Sequence, residues 1–300
     1  MLSICIPIYN VNVVPFVNEL LLETSQFSSS TEIILIDDAS NNDYRAKNEN
    51  LNKITNYIQL NQNIGRAKIR NLFVQYAKYE YLLFLDCDGR VISPFFISSY
   101  LDIFKRETQS SVVCGGRMYP NLKPSRKFLL NWEYGLKKET MSLNKRKAKP
   151  YNSFMTNNFV IKKSILKKIK FDESIQKYGH EDTLFGFSLQ HQNIELTHID
   201  NPILNADYEL NSDYLKKVEY SIDNLIYILK SYQDQNQLIQ NIKILTIFNI
   251  IKNRNLLWLL KVLTYISAPL LKLMLIKGYY FHISVLNFYK LGLLNKKINR

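Results

Sequence analysis

The chain has 300 residues, 46% of them hydrophobic and 22% charged, and a net charge of +13. That balance excludes a disordered chain and allows one large domain, or one domain with an appendage, around a sizeable core. Three widely spaced cysteines (Cys5, Cys87 and Cys114), each in an apolar run, exclude a disulfide framework and read as reduced core thiols of a cytoplasmic protein. The apolar opening LSICIPIY has no basic stretch before it, so no secretory signal is expected. The charge is uneven. Residues 235–300 carry ten Lys or Arg and no Asp or Glu, leaving 29 basic and 26 acidic residues ahead of them.

Residues 3–8 (SICIPI) and 32–36 (EIILI) are β-branched apolar runs of strand length. Between them NVVPFVNELLLETSQF has apolar residues at helical spacing, which makes a βαβ unit with strands apolar on both faces, as in a buried parallel sheet. ITNYIQL reads as a third strand, GRAKIRNLFVQYAKY as a helix and YLLFLD as a fourth strand. A helix near 94–107, the strand SVVCGG, an exposed loop at KRKAKP, a strand and helix in MTNNFVIKKSIL and the strand-like IELTHI follow. The pattern predicts an α/β fold with an open, doubly wound, mostly parallel sheet over residues 1–225 and a helical extension over 226–300.

In such sheets ligands bind beyond the carboxyl ends of the strands, and several of these ends are polar. The fourth strand runs into Asp86-Cys87-Asp88. Residues i and i+2 of a strand point the same way, so two hard oxygen donors would converge, a set suited to Mg²⁺ or Mn²⁺ and a diphosphate. A polar Asp-Gly turn is the alternative. Asp37 and Asp38 end another strand, where they could bind a nucleobase or ribose, or cap a helix, and Tyr9 offers a face for base stacking. Arg66, Lys68 and Arg70 near a helix start could meet phosphates or the acidic cluster. In YGHED, Gly179 permits an unusual backbone angle, and Glu181 and Asp182 stand at a helix start. There a carboxylate would stay ionised, as a general base or only as a dipole-favoured acid.

PIYN, LIDDAS, NQNIGRAKIRN, FLDCDG and YGHED, in this order and spacing, resemble the family 2 inverting glycosyltransferases of GT-A fold over roughly residues 1–225. The resemblance implies a nucleotide-sugar donor, usually a UDP-sugar, a divalent Mn²⁺ or Mg²⁺, and inverting displacement at the anomeric carbon. It implies that Pro7, Tyr9, Asp37 and Asp38 line the nucleoside pocket, and that Gly65, Arg66 and Arg70 lie against the nucleotide and the metal-site acids. Asp86 and Asp88 would bind metal and diphosphate. Asp182 would deprotonate the acceptor hydroxyl, with Glu181 orienting the acceptor or sharing that role, and Asn157, Asn158 and His180 would border the donor or acceptor sugar. Family members often carry a metal-binding histidine after the following N-P. Here Asn205 stands at about that place, Asp207 could substitute, and His198 is expected to be a strand residue. A nucleotidyltransferase and a catalytically inactive membrane scaffold are the other classes considered.

In the tail the longest uncharged apolar run, VLTYISAPLL, is ten residues long, short of the ~20 that cross a bilayer. On one continuous helix Lys243, Arg254, Lys261 and Lys272 would form a cationic stripe, suited to in-plane binding at an anionic membrane on the inner face of the cell membrane. Packing on the catalytic domain, or pairing of two copies through these helices, is the alternative. Nucleic acid is not an expected partner.

Overall fold

In the computed structural model, residues 1–106, 111–175, 177–279 and 282–298 are described. The strands are β1 (Leu2–Ile8), β2 (Thr31–Asp37), β3 (Asn56–Gln59), β4 (Tyr81–Leu85), β5 (Gly89–Arg90), β6 (Val112–Cys114), β7 (Arg117–Met118), β8 (Asn158–Lys162), β9 (Leu196–His198) and β10 (Ile203–Asn205). The helices α1 (Val14–Thr24), α2 (Asn42–Asn48), α3 (Arg66–Tyr76), α4 (Phe96–Arg106), α5 (Leu129–Tyr134), α6 (Leu143–Ala148), α7 (Lys163–Lys168) and α8 (Glu181–His191) alternate with them. Five more close the chain: α9 (Asn211–Ser231), α10 (Gln235–Asn241), α11 (Lys243–Asn253), α12 (Leu257–Lys277) and α13 (Ser284–Ile298).

The main sheet has the order β3-β2-β1-β4-β8-β6-β9. Pairing is parallel from β3 through β4 and between β6 and β9, while β8 runs antiparallel to both of its neighbours. Alternation along β1 explains the two-sided core. Leu2, Ile4, Ile6 and Ile8 pack with Phe16, Val17 and Leu20 of α1 and Phe96 and Ile97 of α4. Cys5 faces the opposite layer, with Ala67, Ile69 and Phe73 of α3 and the rings of Phe84, Phe159, Phe171 and Phe185. Pro7 is tolerated in a central strand because the β1–β4 register ends at Cys5, so its missing N–H removes no bond on that side. A second sheet, β5-β10-β7, covers the carboxyl end of β4.

Two compact units are present. One comprises residues 1–120, 138–176 and 181–207, the other 121–137, 177–180 and 208–300. The boundary expected at 225 falls inside α9, a continuous helix of 21 residues, and the segment containing α5 belongs with the C-terminal helices. Asn211 explains that membership: its Oδ1 accepts from the Leu130 N–H, and its Nδ2 donates to the carbonyls of Arg126 and Ile276.

The KRKAKP run is not an exposed loop. It forms α6, and Arg146 within it is buried, donating to the carbonyls of Cys114, Gly115 and Ile199 and lying 3.2 Å from His198 Nδ1. The Cys114 and Gly115 carbonyls already accept from the Ile199 and Asn201 N–H groups, so the guanidinium fills their second lone pairs and also donates to the Ile199 carbonyl. His198 sits in β9, as expected of a strand residue.

The tail also differs from its expectation. α11 ends at Asn253, and Asn255 adopts a positive φ of 57° before α12 begins. The helical register does not carry across that break, so the four cations do not form one stripe. α12 continues through Lys261, Pro269 and Lys272 for 21 residues, long and apolar enough by length and composition to cross a membrane. Pro269 removes a hydrogen bond to the carbonyl of Tyr265, a residue 83% exposed, so water can satisfy that group.

Candidate active site

β4 delivers Asp86, Cys87 and Asp88 into a turn in which the Gly89 N–H donates to the Asp86 carbonyl at 3.2 Å. The Asp86 N–H in turn donates to the carbonyl of Asn157, at the start of β8. The small sheet supplies the facing wall: Asn205 of β10 pairs with Gly89, and Ile203 pairs with Arg117 of β7. Asp86, Asp88, Asn157, Asn205 and Arg117 thereby line one pocket.

Arg70, on the inner face of α3, is almost fully buried and donates from Nη2 to Asp86 Oδ1 at 3.2 Å. Burial alone would push the Asp86 carboxyl up, but Arg70, Arg66 and Arg117 outweigh it and hold Asp86 below the ordinary carboxylate range. Asp88 goes the other way. Burial and the charge of Asp86 raise it, against opposition from Arg117 and Arg66, and Asp207 adds a smaller upward push. Two acids one residue apart thus differ in their hold on a proton because only one touches Arg70.

Among the described residues, no group of three or more His, Cys, Asp or Glu side chains is arranged to hold a metal ion. The available donors are two carboxylates and an amide. Asn205 is buried, its Nδ2 donates to Asp88 Oδ2 at 3.3 Å, and its Oδ1 is buried without a partner. A buried carbonyl oxygen lacking a donor, beside two carboxylates, fits a hard dication that keeps further positions for phosphate oxygens and water.

Gly179 precedes the acid pair with φ 104°, and a Cβ there would lie 2.6 Å from Ser221 Cβ, so both backbone and space require glycine. His180 follows at φ 70°; burial and Lys290 lower its pKa to about 4, so it is neutral at pH 7. Glu181 and Asp182 open α8. Glu181 is buried with Oε1 3.8 Å from Arg66 Nη1. Asp182 is pushed up to about 7, first by burial and then by Glu181, with Glu139 adding to it and the Thr183 N–H and Arg70 opposing. The expectation of a fully ionised base is therefore corrected: burial outweighs the helix N-terminus, and the group titrates near neutrality. Arg70 is the common neighbour that links Asp182 electrostatically to Asp86.

The nucleoside residues separate into two kinds. Tyr9, at the end of β1, is 52% exposed and presents an open ring. Gly65 caps α3 with φ 84° and has nothing within 4 Å of where a Cβ would stand, leaving open space beside the backbone. The carboxylates are turned to structural work. Asp37 is fully buried, accepting from the Ser40 N–H (2.6 Å) and the Tyr57 hydroxyl (2.9 Å), so it offers a base no accessible oxygen. Asp38 accepts from the Ile64 and Gly65 N–H groups at 2.7 and 3.0 Å, anchoring the turn into α3 rather than capping α2. Asn158 is likewise corrected as a sugar contact. Its Oδ1 accepts from Tyr100, and its Nδ2 donates to the carbonyls of Gly116 and Asn201, making it an internal strut. Asn157, one residue earlier, points its alternate way into the pocket with Nδ2 buried and unpartnered.

Residues 3–170, over half of the chain, match the model of Glycosyl transferase family 2. The chain belongs to this family. Among solved structures of similar fold are residues 1–349 of TarS from S. aureus, at 17% identity and TM-score 0.52, covering 80% of this chain and 68% of that one. The same TarS fragment in complex with UDP-GlcNAc aligns at 18% identity and TM-score 0.52, over 80% of this chain and 70% of that one. A mannosyltransferase, PcManGT from Pyrobaculum calidifontis, in complex with GDP-Man and Mn²⁺, aligns at 10% identity and TM-score 0.63, over 98% of this chain and 85% of that one. The chain spans 42% of the longer TarS structure. No curated protein matches it.

For this family 2 glycosyltransferase, sequence reasoning missed Arg117. Its Nη1 donates to Glu139 Oε2 at 3.1 Å, its guanidinium lies 5.1 Å from the centre of the Tyr119 ring, and Tyr119 donates to the same Glu139 oxygen. A lone cation after GG carries no pattern; only the pairing of β7 with β10 brings it to the acids.

Proposed function

We propose that the chain is an inverting, metal-dependent glycosyltransferase that moves a sugar from a nucleotide-sugar donor, by preference a UDP-sugar, to a hydroxyl of a glycan or lipid-linked acceptor in surface polysaccharide synthesis. One observation carries the reading. The Asp86–Asp88 pocket combines two carboxylates with a buried, unpartnered amide oxygen on Asn205, and Arg70 ties that pocket to Asp182. Asp86, Asp88 and Asn205 would hold Mn²⁺ or Mg²⁺, which supplies charge stabilisation for the departing diphosphate. Asp182 accepts the acceptor hydroxyl proton as that oxygen bonds to the anomeric carbon, and the bond to the diphosphate oxygen breaks with its electron pair leaving on the diphosphate. Attack opposite the leaving group inverts the centre. Tyr9 gives the base a stacking face, Gly65 leaves room for the nucleotide's close approach, Asn157 donates to a donor oxygen, and Glu181, held by Arg66, orients the acceptor. Calorimetric titration with Mn²⁺ and a panel of UDP- and GDP-sugars tests this. Metal-dependent binding of one donor and its slow hydrolysis are expected; no binding with any donor contradicts it.

The second element of the proposal is attachment to the inner face of an anionic membrane through α12. Trp258, Val262, Leu263, Tyr265, Ile266 and Leu270 are exposed on it, while Leu260, Thr264 and Leu275 form a buried stripe. A helix packed along its length on α9 and α13, with Lys272 paired to Glu219 at 2.8 Å, favours lying in the interface over crossing it. Exposed Lys252, Arg254 and Lys261 add attraction to anionic lipid.

A further inference from the structure

The pocket holds complementary unmet demands. Asn205 Oδ1 is a buried acceptor without a donor, while Arg117 Nε and Asn157 Nδ2 are buried donors without acceptors. A bare cation satisfies only the first. A ligand that brings a cation together with several anionic oxygens satisfies all three, and a metal-bound diphosphate is such a ligand. Arg117 is also set apart from the other two arginines. Arg70 is committed to Asp86 and Arg66 lies near Glu181, whereas Arg117 reaches Asp86 and Asp88 only through the field and is held from behind by Glu139 and Tyr119.

Resting on the nucleotide-sugar reading above, we propose that Arg117 binds the sugar-proximal phosphate of the donor, and that Glu139 is the positioning residue that aims its guanidinium into the pocket. The fork geometry explains why an arginine stands here: one edge is spent on Glu139, leaving other N–H groups for phosphate oxygens, which a lysine's point charge could not divide in this way. The residue would meet the negative charge that grows on the diphosphate as the glycosidic bond breaks, and so act on the leaving group while Asp182 acts on the nucleophile.

The test separates the two phosphates. With Mn²⁺ present, the affinities of UDP, UMP, GDP and GMP are measured by calorimetry for wild type, Arg117→Met, Arg117→Lys and Glu139→Gln. Wild type should prefer the diphosphate of its nucleotide. Arg117→Met should lose on the order of tenfold to a hundredfold in diphosphate affinity, with monophosphate affinity unchanged within about twofold. Arg117→Lys and Glu139→Gln should each lose less, in the same diphosphate-selective way, and either suffices should the methionine variant fail to fold. Equal weakening of mono- and diphosphate, or no weakening of either, overturns the inference while leaving the nucleotide-sugar reading standing. A wild-type chain that binds none of the four overturns both.

Discussion

Replacing Asp182 by Asn probes the proposed base with little change of shape. The carboxyl is pushed up to about 7 by burial and by Glu181, so its conjugate base is strong enough to take a proton near neutrality. A positioned base contributes about 10²–10⁴-fold, or roughly 3–5.5 kcal/mol at 1.36 kcal/mol per decade. Asp182 does not line the Asp86–Asp88 pocket and is coupled to its surroundings through the fields of Glu139 and Arg70, so donor affinity should stay within about threefold. The sign of the pH effect follows from the raised pKa. Below about 7 the carboxyl carries its proton and cannot act as a base, so wild-type kcat/KM should climb about tenfold per pH unit and level off above 7. Steady-state transfer between pH 5.5 and 8.5, paired with calorimetry of donor binding, reads both. The Asp182→Asn enzyme should be slow and lack the limb with its midpoint near 7. Equal losses of transfer and binding, or a limb that persists in the variant, would refute the assignment.

Other consequences are open to direct measurement. Asn205→Ala removes the proposed third oxygen ligand, so Mn²⁺ should bind about tenfold or more weakly in the presence of UDP, by calorimetry, while metal-free UMP binding is unaffected. Asn158→Leu strips partners from the Tyr100 hydroxyl and two buried carbonyls; thermal unfolding should show a loss of about 3 kcal/mol or more, with donor affinity of the folded fraction retained. Trp258→Glu with Ile266→Glu should abolish co-sedimentation with vesicles containing anionic lipid, and wild-type binding should weaken as salt rises; binding indifferent to both would remove the membrane assignment.

Much of the catalytic unit could be read from local pattern, because buried parallel strands must be apolar on both faces and acids at their ends stand out. Asp86 and Asp88 were visible for that reason, and Asp182 because it belongs to an acid pair that follows a glycine at a helix start. The misreadings have a common physical origin in what a side chain meets far away in sequence. Arg146 looked like part of a solvated basic run, yet carbonyls at the ends of β6 and β9 draw it inside. Asp37 and Asn158 looked available but are taken by Tyr57, Tyr100 and nearby backbone groups. Arg117 gave no signal because its partner Glu139 lies 22 residues away and the acids arrive through a separate sheet. In the tail, composition foretold amphipathic helices, but the turn at Asn255 broke the assumed register.

The account turns on a metal-bound diphosphate meeting Asp86, Asp88 and Asn205. Crystals grown with UDP and Mn²⁺, with data collected at the manganese absorption edge, address this directly. An anomalous peak about 2.2 Å from carboxylate oxygens of that pair and from Asn205 Oδ1, bridged to the diphosphate, is the predicted result. UDP bound with no peak there, or a peak held by other side chains, would contradict it.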